Sequence, residues 1–258
     1  MAFDIAAVDA ALAGQSITWS VEYVAETGST NEDIVRLARA GAAEGAVLVC
    51  GHQAAGCGRQ GRQWLDRPGQ DLLFSVLLRP NLPAREYGML SLLAAVAVAQ
   101  ALTELTGSQF GTKWPNDIVI SGRKVAGLLL EADASAGYAI IGIGINVLGA
   151  PETLPDGLSR PAGTVHQATG VELTREELLA AILSKLGRLY ESVTDVGWEA
   201  LLAAYRQLDT VVGSRVRLVR GHETFTGLAE RIDERGRLVV AGPAGRIVAD
   251  AGDVHLVE

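Results

Sequence analysis

Residues 89–102 read Met-Leu-Ser-Leu-Leu-Ala-Ala-Val-Ala-Val-Ala-Gln-Ala-Leu, with only Ser91 and Gln100 polar. A helix that is apolar on every side has to be enclosed. The stretch is too short to cross a bilayer, which takes roughly 18 or more residues. It is therefore expected as the buried core helix of a soluble, cytoplasmic protein with no membrane association. The 258 residues suffice to bury such a core, as one large domain or as a large domain with a small appendage. No basic segment followed by an apolar core and a cleavage site opens the chain, which speaks against a signal peptide. Cys50 and Cys57 cannot build a disulfide framework or a four-ligand zinc site. The net charge of −8 argues against bulk nucleic-acid binding, which needs clustered positive charge.

The core helix, expected over 86–105, is flanked by strand signals. Before it come a short helix over 4–14, a strand over 18–26, and a helix capped by Ser29 or Thr30 and stopped at Gly41. Apolar strands follow over 46–50 and 71–78. After it, strands over 109–114, 117–120, 124–131 and 138–147 are parted by Pro115-Asn116, Ser121-Gly122 and Ala136-Gly137. Residues 149–170 are loop-rich. Helical periodicity returns over 174–190 and 198–208, with Thr174 and Glu177 spaced as a capping box. Beyond Gly213 only short strands remain, at a spacing that suggests a small β-barrel. The fold class is thus α+β: a mixed or antiparallel sheet packed with helices, then a small C-terminal barrel. The divisions are 1–18, 19–210 and 211–258.

Three segments carry chemistry. In residues 52–64, Gly56, Gly58 and Gly61 match G-x-G-x-x-G, but the chain runs on into Pro68-Gly69 and a strand instead of a helix, so a dinucleotide fold is disfavoured. What remains is a glycine loop whose backbone can approach an anion, with Arg59 and Arg62 to grip phosphate. A solvated surface loop is the alternative. In residues 111–117, Lys113, Asn116 and Asp117 flank a stiff Trp-Pro turn, and Lys124 leads the next apolar strand. Lys113, Asp117 and Lys124 can converge there, although Lys124 beside Arg123 also fits an ordinary surface pair. Third, Ile141-Gly142-Ile143-Gly144-Ile145-Asn146 leaves one sheet face without side chains, open to a flat ligand or to close packing. Arg215, Arg217 and Arg220 alternate as one solvated strand face. P-loop, H-E-x-x-H and G-x-S-x-G motifs are absent.

In this order, Thr27-Gly28-Ser29-Thr30-Asn31, the Gly/Arg loop, Lys-Trp-Pro-Asn-Asp, Arg123-Lys124-Val125-Ala126-Gly127 and Gly-Ile-Gly-Ile-Asn resemble the biotin protein ligases from about Tyr23 to the C-terminus. The resemblance implies a class II synthetase-like catalytic domain with an SH3-like barrel. It implies ATP and Mg²⁺ as co-substrate and metal, biotin as substrate, and the biotin carboxyl carrier domain of an acyl-CoA carboxylase as partner. Some family members carry an N-terminal winged helix; about 18 residues precede the first strand here, so a ligase without DNA binding is expected. By position, Ser29, Thr30, Asn31 and Gln53 fall where the family binds biotin. Gly56, Cys57 and Gly58 present backbone to biotin and adenylate. Arg59 sits where the family holds the acyl phosphate or pyrophosphate, and Lys124 where a lysine bridges the biotin carboxylate and the α-phosphate. Gly127, Leu129 and Gly142 complete the biotin wall. Arg62, Trp64, Lys113, Asn116 and Asn146 fall on the nucleotide side, and Asp117 steers the acceptor lysine. No residue is assigned to metal, which the phosphates would bridge. The family loop reads Gly-Arg-Gly-Arg-x-Gly-Arg, whereas Cys57 replaces the first arginine here. Cys57 reads as a tolerated small residue, with a reactive thiol as the alternative. A lipoate–protein ligase of the same fold and a non-catalytic adaptor remain the competing functions. Monomer and ligand-linked dimer are both open.

Overall fold

The structure, a computed structural model, describes residues 3–15, 17–149, 162–243 and 245–257. The first elements are α1 (Ile5–Leu12), β1 (Ser20–Val24), α2 (Thr30–Arg39), β2 (Ala46–Cys50) and β3 (Leu72–Leu78). A 3₁₀ turn (Ala84–Met89) leads into α3 (Leu90–Thr106), then β4 (Gly111–Lys113), β5 (Asp117–Ile120), β6 (Arg123–Asp133) and β7 (Tyr138–Ile145). Helices α4 (Val165–Thr169), α5 (Arg175–Val196) and α6 (Glu199–Leu208) follow. Strands β8 (Arg215–Arg220), β9 (Glu223–Ile232), β10 (Leu238–Gly242), β11 (Gly245–Ala249) and β12 (Asp253–Leu256) come last.

The seven strands of the first sheet run in the order β1-β2-β3-β7-β6-β5-β4. Only β1 and β2 pair parallel; the other neighbours are antiparallel. β3 is buried at every position because helices cover both faces of the sheet centre. On one face lies α3, packed against α5 and α6 and buried from Leu90 to Leu102 except at Ser91 and Gln100. On the other, α2 closes a small core with Ile34, Ala38, Leu48, Leu77 and Ile140. With its 3₁₀ turn, α3 belongs to a 23-residue span, Ala84–Thr106, so length alone does not exclude a membrane. Burial decides: 67% of its apolar window lies inside the fold. Leu93 is fully buried there, so Leu93→Ala is expected to cost about 3 kcal/mol, read as a lower urea midpoint.

The expected core helix starts later than its hydrophobicity suggested, because residues after Pro83 take the tighter 3₁₀ winding first. It ends at Gly107 in the left-handed conformation. The Thr174–Glu177 capping box forms as its spacing requires, with Thr174 Oγ1 accepting from Glu177 N and Glu177 Oε2 from Thr174 N. Helix α4 lies inside the expected loop over 149–170; Thr164 caps one end and Gly170 the other. Residues 150–161 of that expected loop lie outside the described residues, as do 1, 2 and 16 of the expected N-terminal segment.

The last five strands form an antiparallel sheet ordered β11-β10-β9-β8-β12. It is joined to the first sheet by a shared core that includes Val216, Leu218 and Ile232. Trp114 Nε1 donates to Gly236 O at 3.0 Å, and the cis Trp114–Pro115 peptide lies in the β4–β5 turn.

Candidate active site

A cavity of about 210 Å³ opens where the N-terminus of α2, the loop over 57–65, the β4–β5 turn and the faces of β6 and β7 meet Gly252–His255. One water needs only roughly 10–15 Å³, so this space suits a ligand. Every residue expected at a site lines it, with one exception. Gly56 lies behind the wall, where a Cβ would stand 2.6 Å from Trp64 O. Its part is to let the loop close: Trp64 N donates to Gly56 O at 2.8 Å, and Gly58 N to Arg62 O at 2.6 Å.

The polar end is built on α2. Ser29 is its N-cap and lines the cavity, and its hydroxyl makes no cap bond. Thr30 N donates to Gln53 Oε1 at 2.9 Å, fixing that amide. Thr30 Oγ1 lies 2.7 Å from Ser75 Oγ, and Ser75 donates to Asn31 Oδ1 at 2.6 Å. Asn31 Nδ2 donates to Glu131 Oε1 at 2.8 Å, and more weakly to Leu129 O. Ser75 and Glu131 were missed by sequence reasoning. Their signals were a lone hydroxyl inside the apolar run Leu-Leu-Phe-Ser-Val-Leu-Leu and an acid ending another apolar run.

The bare glycine face is filled by the protein itself. Gly127 and Gly144 are cross-strand partners, and a Cβ on either would press into the Trp64 indole, at 2.9 and 2.6 Å. Gly142, opposite Leu129, leaves room for the Asn31 amide. Trp64 Nε1 is buried without a partner among the described residues, which leaves this donor for an acceptor arriving in the cavity.

The charged end converges as the spacing predicts. Lys124 Nζ pairs with Asp117 Oδ1 at 2.7 Å and lies 5.5 Å from the Trp64 ring centroid. Lys113 lines the wall, 7% exposed. Arg59 Nη1 donates to Asn116 Oδ1 and to Gly252 O, each at 3.3 Å. Burial draws the Arg59 guanidinium below its usual value. Asn116 Nδ2 donates to Leu128 O at 2.6 Å. Arg62 pairs with Asp253 at 2.7 Å, a residue of the C-terminal sheet that sequence reasoning did not place here. Asn146 Nδ2 donates to Gly163 O at 3.0 Å, which turns its oxygen elsewhere. Cys50 is buried, and burial pushes its thiol up to about 12; Cys57 is exposed, with Sγ 3.2 Å from Ala55 O. Among the described residues no group of three His, Cys, Asp or Glu could hold a metal.

His52 and Asp66 anchor the loop's root. Asp66 Oδ2 meets His52 Nδ1 at 2.9 Å, and Asp66 Oδ1 accepts from Gln53 N. The hydrogen bond to Asp66 raises the His52 pKa. A raised folded value means the anchor is complete below the ordinary histidine pKa of about 6.5 and is lost as pH rises through the raised one. Protection of the Gln53 amide, taken relative to its intrinsic exchange rate at each pH, should fall across that window, and His52→Gln should remove the fall.

Residues 25–146 match the biotin/lipoate A/B protein ligase family, and residues 211–257 the biotin protein ligase C-terminal domain. The chain is 35% identical over 257 residues to a Mycobacterium tuberculosis protein named biotin–[acetyl-CoA-carboxylase] ligase, covering 95% of this chain and 92% of that one. The chain belongs to the biotin protein ligase family. A Paracoccus denitrificans member of the same name is 33% identical, covering 90% and 98%. The biotin protein ligase of Aquifex aeolicus, solved with biotin and ATP, superposes with a TM-score of 0.79 at 29% identity, covering 92% and 98%. Both sheets of this ligase therefore belong to the family fold, an α+β catalytic unit followed by the SH3-like C-terminal unit.

Proposed function

We propose that the protein is an ATP-dependent biotin protein ligase that modifies the carrier domain of an acetyl-CoA carboxylase. The observation that carries this is one cavity with two unlike ends. Ser29, Thr30, Asn31 and Gln53 offer both donors and acceptors to a cyclic urea, while Lys124, Arg59 and Lys113 gather positive charge at the other end. A biotin carboxylate and a triphosphate repel each other, so their reaction needs such charge held ready in a low-dielectric site.

In the first step a carboxylate oxygen of biotin attacks the α-phosphorus and pyrophosphate leaves, giving biotinyl-5′-adenylate. Lys124 spans the two anions, exchanging its Asp117 partner for them. Arg59 and Arg62 attend the phosphates, and Trp64 faces the nucleotide. The 57–65 loop keeps water from the mixed anhydride. In the second step a carrier lysine attacks the acyl carbon and AMP leaves. The amine must be neutral to attack, and the Asp117 carboxylate orients it and takes its proton. Magnesium, carried in with the nucleotide, would supply further charge neutralisation.

The test is biotin-dependent exchange of labelled pyrophosphate into ATP by the purified protein, with lipoate as competitor. Exchange with biotin but not lipoate is expected. Exchange with lipoate alone would make it a lipoate ligase, and no exchange with either would leave an adaptor.

A further inference from the structure

We propose that Glu131 is a positioning residue that sets the donor–acceptor direction of the cavity's polar end, so that Thr30 Oγ1 accepts a hydrogen bond from an N–H of the cyclic urea. The inference rests on the ligase reading above and extends it to a residue outside the cavity wall.

A carboxylate and a backbone carbonyl can only accept. Glu131 Oε1 and Leu129 O both face Asn31 Nδ2, at 2.8 and 3.4 Å. The Asn31 amide is thereby fixed with its nitrogen toward β6 and its oxygen toward Ser75. Ser75 has one hydroxyl proton, and Asn31 Oδ1 at 2.6 Å takes it. Nothing is left for Ser75 to give Thr30, 2.7 Å away on its other side. The Thr30 proton is then spent within the wall, on Ser75 Oγ or on Gln53 Oε1 at 3.1 Å. Thr30 Oγ1 therefore presents lone pairs to the cavity it lines. Gln53 Oε1 is occupied by Thr30 N, so its amide nitrogen is the half left for a ligand carbonyl. With Asn31 turned over, Ser75 would donate to Thr30 Oγ1 and fill the lone pair that the ureido N–H needs. Asn31 and Ser75 are buried, so no solvent proton can repair the order.

The exposed position of Glu131 makes a charge swap feasible. Glu131→Lys offers only donors and turns the Asn31 amide. Asn31→Asp sets two carboxylates against each other. Combining the two substitutions restores the order, because the introduced carboxylate then accepts from both the introduced ammonium and Ser75. In the exchange assay each single variant should raise the KM for biotin about 10-fold, the loss of roughly one hydrogen bond. For Glu131→Lys the KM for ATP and kcat should hold, and adding Asn31→Asp should bring the biotin KM at least about 3-fold back from that of Glu131→Lys. An unchanged biotin KM in Glu131→Lys overturns the proposal. So does a double variant no better than its parents, or a parallel rise in the KM for ATP. Wild-type protein without exchange would sink the ligase reading instead, and the same pattern would then be read from biotin affinity by calorimetry.

Discussion

Lys124→Ala should lower biotin-dependent pyrophosphate exchange by on the order of 10²–10³-fold, the cost of removing one preorganised charge from developing anions. Its side chain is 31% exposed, sits at the start of β6, and has Asp117 and the Trp64 ring as the neighbours of its ammonium. None of these contacts is deep in the core, so the variant should fold and melt close to wild type. Without the lysine, Asp117 is left facing the incoming carboxylate and phosphate, so the deletion adds repulsion as well as removing attraction. Retained exchange at the wild-type rate, in protein shown to be folded by circular dichroism, would move the chemistry away from this lysine.

Gly142→Ala should weaken biotin binding by about 100-fold, since more than one hydrogen bond of the polar end is lost together. The added Cβ would overlap Asn31 Oδ1 and stand 2.9 Å from Asn31 Cγ. Asn31 has nowhere to retreat, being 4% exposed and tied to both Ser75 and Glu131. Gly144→Ala gives a contrast, because its Cβ would meet Trp64 instead of Asn31. That variant should spare the polar end and disturb the loop. Calorimetric titration with biotin separates the two, and equal affinities would show that Asn31 is not held where the packing puts it.

Much of this arrangement was legible in the sequence because the signals were local or periodic. The apolar helix, the strand over 46–50 and the Thr174–Glu177 box each depend on neighbouring residues alone. Lys113, Asp117 and Lys124 converge because a tight turn and adjacent strands leave them few alternatives. The five-residue α4 was not legible, because one turn of helix has no periodicity to read. Nor was the filling of the glycine face: alternating glycines announce a vacancy, but not that Trp64 and Asn31 occupy it. Ser75 and Glu131 act through partners more than 40 residues away in the chain, a pairing that only the packing of α2 on the sheet creates. Asp253 and Gly252 reach the cavity by the packing of one sheet on another, which no spacing rule anticipates.

Arg59 and Arg62 both end on the dipeptide Gly252-Asp253, at the entry to β12. A nonsense change or proteolytic nick that removed this strand would leave every side chain of the ureido wall untouched. Under the ligase reading the vitamin would still be captured, but the flap would have lost its ties to the second sheet and kept only those to Asn116 and at its own root. Such damage would show as leakage of the activated acid into bulk solvent, and so as stray labelling of bystander amines in place of the intended carrier.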